Sequence, residues 1–125
     1  MDRKFQVLPG VVQVYLEHGE TPEDIVPVLS DAARLAHEKA LQNLLVVSGL
    51  GDPATAEAVS MALEQMRALD APPAKIAFVA YTLSQYSVYH FAQHYAQRLG
   101  IAVKVHVSLR DAKDWLGVRE DSRAS

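Results

Sequence analysis

The chain has 125 residues, half of them hydrophobic and 22% charged, with a formal charge of -3. That is enough for one domain that removes roughly two-thirds of its unfolded surface from water without staples, and its composition is that of a globular rather than a disordered chain. The absence of cysteine excludes disulfides and thiolate zinc sites, and the scattered lysines and arginines form no basic stripe of the kind a nucleic-acid binder needs. No apolar run approaches the ~18 residues of a membrane span, and the start of the chain lacks the basic and apolar pattern of a secretory signal. A soluble, cytoplasmic protein is expected.

Phe5 to Leu8, the turn Pro9-Gly10 and the alternating run from Val11 to Glu17 predict a β-hairpin. Thr21 followed by Pro22, with Asp24 three residues after the cap, predicts a helix start. Ile25, Val28, Leu29, Ala32, Leu35 and Ala36 extend an apolar stripe to about Lys39. Leu44 to Val47 is a short, continuous apolar run ended by Ser48-Gly49, the pattern of a central strand covered on both faces.

Asp52-Pro53 repeats the cap-plus-proline device, and Ala56, Val59, Leu63, Met66 and Leu69 form the next apolar stripe. Ile76 to Ala80 reads as a second buried strand. Leu83 to Leu99 reads as a helix closed by Gly100, with Val88, Phe91, Ala92, Tyr95, Ala96 and Leu99 expected on its core side. Ile101 to Val107 predicts a strand. Ser108 then caps a short helix anchored by Trp115 and Leu116 and ended by Gly117. The order is β-β-α-β-α-β-α-β-α, a layered α/β sheet, mostly parallel with an antiparallel N-terminal strand. Residues 1–118 form one domain and 119–125 a polar tail.

Three groups of residues are chemically suggestive. The turn from Ser48 to Ala54 formally satisfies G-x-G-x-x-A through Gly49, Gly51 and Ala54, which would make the chain a nucleotide-binding α/β protein. Against this, Asp52 sets a negative charge where a pyrophosphate must approach, and no acid follows the next strand at Ala80-Tyr81-Thr82. His90 and His94 have the spacing of paired metal ligands, but no third ligand is evident and Phe91 stands where H-E-x-x-H needs glutamate. They read as surface histidines, and no metal or cofactor is expected. Finally, Tyr81, Tyr86, Tyr89 and His90, with Gln93, are expected away from the core stripe. They gather an aromatic, hydrogen-bonding group near the C-terminal end of a strand, where open α/β sheets bind ligands. The same tyrosines would also suit a homodimer seam. No nucleophile, base and orienting group assemble into a catalytic set, so binding rather than catalysis is expected.

The segments KIAFVA (Lys75 to Ala80), GIAVKVHV (Gly100 to Val107) and SLRDAKDWL (Ser108 to Leu116) resemble the STAS superfamily, and more closely its SpoIIAA-like branch. Ala112, Trp115 and Leu116 match the Ala-x-x-Trp-Leu helix that often ends such domains. The resemblance implies a regulatory or ligand-binding module, without enzyme activity, that takes a protein partner or a small apolar ligand. Its expected face is formed by Ser48, Gly49, Gly51, Asp52, Thr55, Tyr81, Tyr86, Tyr89 and His90. Anti-sigma-factor antagonists of the superfamily carry a phosphorylatable serine at the start of the helix after the central strand. Here Thr55 and Ser48 are the hydroxyls nearest that position, and Asp52 would repel a phosphate between them.

Overall fold

The computed structural model describes residues 5–16, 22–48, 55–69 and 73–118, without the side chains of residues 22–24. The elements are β1 (Phe5–Leu8), β2 (Val11–Leu16), α1 (Pro22–Glu38), β3 (Asn43–Ser48), α2 (Ala56–Arg67), β4 (Lys75–Val79), α3 (Leu83–Leu99), β5 (Ala102–His106) and α4 (Leu109–Leu116). They follow the expected order. The five strands lie side by side in sequence order, β1-β2-β3-β4-β5. β1 pairs antiparallel with β2, Phe5 opposite Val14, and the remaining pairs are parallel, with Val46 beside Val14 and Phe78 beside Val46.

Because each parallel crossover advances the sheet by one strand in the same direction, right-handed connections put α1, α2 and α3 on one face. Val12, Val14, Leu44, Val46, Ile76, Phe78, Val103 and Val105 meet these helices in the main core, with Ile25, Leu29, Leu63, Met66 and Tyr89 opposite them. The alternate strand positions face the other way. There Val11, Leu45, Val47, Ala77 and Val79 are covered by Ala112 and Leu116 of α4 and by Val118. The two continuous apolar runs are therefore covered on both faces, as a buried parallel strand requires.

Helix boundaries follow local chemistry. Gly100 and Gly117 end α3 and α4 at φ 77° and 78°, in the left-handed region. α1 closes differently: Ala40 takes φ 60°, and the Leu41 amide donates back to the Ala36 carbonyl at 2.7 Å, which completes a left-handed cap without glycine. α2 starts later than the Asp52-Pro53 pair implies. Its N-cap is Thr55, whose Oγ1 accepts from the Ala58 amide at 3.0 Å.

The core side of α3 carries Val88, Ala92, Tyr95, Ala96 and Leu99 of the expected stripe, but it gains Gln85 and Tyr89 and loses Phe91. Gln85, Tyr89, Ala92 and Ala96 are buried, whereas Phe91 is exposed. Two alanines let the helix approach the sheet closely at β5, and Tyr89 reaches over Phe78 of β4, ring centroids 4.5 Å apart and 17° between planes. Among the described residues no helix is long and apolar enough to cross a membrane.

Candidate functional site

The expected site residues divide into a buried group and an exposed rim. Gly49, Gly51 and Asp52, with the whole Gly49 to Ala54 turn, lie outside the described residues. Ser48 ends β3 with its side chain on the α3 face, where its hydroxyl is hydrogen-bonded to the Tyr89 phenol. Tyr89 is 1% exposed. It is thus a core residue that ties the end of β3 to the middle of α3, and the expectation that it points away from the core is corrected. The cause is helical phase: Tyr89 falls on the same side as Gln85, Ala92 and Ala96, at spacings of three and four.

The exposed group is built by the turn after β4. The Thr82 Oγ1 accepts from the Gln85 amide at 3.1 Å, and the Gln85 carboxamide oxygen accepts from the Tyr81 amide at 2.7 Å. This reciprocal arrangement is the capping box in its Thr-x-x-Gln form, with the return bond reaching the residue before the cap. Gln85 is fully buried, so it fixes the backbone at Tyr81 from inside while the Tyr81 side chain faces outward at 44% exposure. Leu83, in the first turn of α3, is 81% exposed, and Tyr86 one turn later is 37% exposed. His90 continues this line on the outer side of α3, its ring stacked on Tyr86 at 5.8 Å and meeting His94 edge-on at 4.6 Å.

Thr55 is exposed at the start of α2, with its hydroxyl engaged in capping. Among the described residues no group of three or more histidines, cysteines or acids could hold a metal ion, so His90 and His94 stand as a pair.

Two features of α3 escaped sequence reasoning. Gln93 reaches over the open edge of β5, and its carboxamide oxygen accepts from the Val105 amide at 3.0 Å. On the other flank, the Tyr95 phenol donates to the Glu64 carboxylate of α2, which holds its pKa above the usual phenol value through that hydrogen bond. Met61 and Phe91, both exposed, lie one turn before Glu64 and Tyr95 on their helices, and the Phe91 ring stacks on Tyr95 with 6.0 Å between centroids. A glutamine one turn beyond a buried tyrosine and next to a strand edge is a signal readable only once the phase of α3 is known.

The sheet order also bears on where a ligand can sit. In doubly wound sheets the crevice at the strand ends opens where the strand order reverses. Here the order runs from β1 to β5 without reversal. Among the described residues, one cleft of about 530 Å³ lies between Phe5, Val7, Asp31, Arg34, Leu35 and Glu38, and another runs along α4 at Leu109, Arg110, Lys113 and Asp114. Neither includes a rim residue.

No family model matches the chain, and neither the curated proteins nor the solved structures contain a match to it.

Proposed function

We propose that this chain is a non-enzymatic regulatory module of the STAS, SpoIIAA-like kind that docks a protein partner on the rim of Tyr81, Leu83 and Tyr86. The observation that carries the reading is the exposure of Leu83, a large aliphatic side chain held 81% open between two half-exposed tyrosines on a rigidly capped turn. Clustered apolar and aromatic side chains that a domain leaves in water mark interaction sites, and tyrosine is enriched at the anchors of protein interfaces. The likeness of the Ser108 to Leu116 segment to SpoIIAA-like endings supports the same class of function.

The test is site-specific photo-crosslinking. A photoreactive residue at Leu83 should give a discrete protein adduct, whereas the same residue at the exposed Glu57 of α2 should not. Adducts to a second copy of the chain would assign the rim to a homodimer instead. Equal labelling from both positions would remove the docking site.

A further inference from the structure

The opposite face of the sheet holds a buried imidazole that the rim does not use. His106, the last residue of β5, is 8% exposed, and its Nε2 has no hydrogen-bond partner. Its ring lies against the indole of Trp115 on α4, with 5.6 Å between centroids and 48° between planes. Lys75 of β4 places its Nζ 5.2 Å from the centre of the same indole and donates to the Trp115 carbonyl at 3.3 Å.

The charges around this pocket are set by the fold. Lys104 lies two residues before His106 on the same face of β5, and Asp111 lies one turn before Trp115 on the same flank of α4. Arg110, Lys113 and Asp114 lie around the other side of α4, where they line the cleft along that helix. A proton arriving at His106 therefore enters a largely buried site with the Lys104 ammonium and the Asp111 carboxylate in reach. Burial first and Lys104 second hold the imidazole pKa below the ordinary 6.5, with Asp111 opposing them in part.

α4 is poorly suited to survive that proton. At eight residues it is too short to be stable alone and is held by packing. Its anchors are Ala112, Leu116 and Trp115, together with the bond from Asn43 Nδ2 to the Leu116 carbonyl at 3.3 Å. We propose that α4 is a proton-released latch: when His106 is protonated its ring turns out to water, Trp115 loses its support, and α4 lifts from the apolar strip of Leu45, Val47, Ala77 and Val79.

The sign follows from linkage. A neutral imidazole favours the docked helix, so docking is complete above about pH 6.5 and weakens as the pH falls below that value toward the lowered pKa of the docked form. For one proton the loss is at most about tenfold per pH unit.

Trp115 is the single tryptophan of the chain, so its fluorescence reports on α4. A titration of the full chain from neutral to mildly acidic pH, combined with hydrogen-exchange protection factors, tests the latch. The Trp115 signal should change with a midpoint below 6.5, and α4 amides should lose protection by up to about tenfold per pH unit while α2 amides keep theirs. His106→Phe should abolish both effects. Lys104→Gln, at an exposed position that leaves the core intact, should raise the midpoint, and Asp111→Asn should lower it. An unchanged titration in His106→Phe, a midpoint indifferent to Lys104→Gln, or α4 protection that falls only in step with α2 would each overturn the proposal.

Discussion

The hydroxyl of Ser48 and the phenol of Tyr89, 41 positions apart in the chain, are hydrogen-bonded to each other inside the main core. The bond joins the last residue of β3 to the middle of α3 directly beneath the segment that supports the rim. Tyr89→Phe takes from the buried Ser48 hydroxyl its hydrogen-bond partner, which costs about 1–3 kcal/mol, whereas removing both hydroxyls restores an apolar contact. Tyr89→Phe should lower stability by roughly that amount in urea unfolding, and the double variant with Ser48→Ala should lose less than the sum of the two single losses. Strict additivity would show that the two hydroxyls act independently.

Ala40 closes α1 in the left-handed region, where a Cβ is disfavoured and glycine is not. Ala40→Gly should therefore raise stability by about 0.5–1 kcal/mol, an increase in thermal midpoint of a few degrees. A decrease would mean that the entropy added to the unfolded chain outweighs the relief of strain.

Gln93 shields the edge of the sheet by occupying the Val105 amide, which points away from β4. An open strand edge with a free donor invites pairing with another chain. Gln93→Ala should speed hydrogen exchange at Val105 relative to Val103 and lower stability by about 1 kcal/mol. Unaltered exchange at Val105 would show that water or a neighbouring group replaces the carboxamide.

Much of this fold is readable from residues with unambiguous local roles. Proline and glycine mark the β1–β2 turn, Ser108 and Gly117 bracket α4, and the runs at Leu44 to Val47 and Ile76 to Ala80 announce strands buried on both faces. The phase of α3 is not legible in the same way. Apolar and aromatic residues occur all around it, so Phe91 and Tyr95 define as good a stripe as Tyr89 and Ala92 do. Only contact with the sheet selects the side where small alanines permit close approach and Gln85 has an internal partner. The exposure of Tyr81, Tyr86 and His90 is legible, since Thr82 and Gln85 fix the turn locally, whereas the burial of Tyr89 is not, because its partner Ser48 is distant in sequence. The burial of His106 was hidden for a related reason. Alternation puts it on the same face as the exposed Ala102 and Lys104, and only the path of α4 brings Trp115 over it.

Leu83 is the anchor of the proposed docking rim, 81% exposed at the start of α3. The decisive measurement is the calorimetric Kd of the partner recovered through the Leu83 crosslink, compared between the unaltered chain and Leu83→Glu. Because Leu83 packs little of its surface, the substitution should change stability by less than about 0.5 kcal/mol. Affinity should nevertheless fall at least about tenfold, a loss of about 1.4 kcal/mol or more. Equal affinity in the two proteins, with the fold of both verified by circular dichroism, would contradict the anchoring role of Leu83.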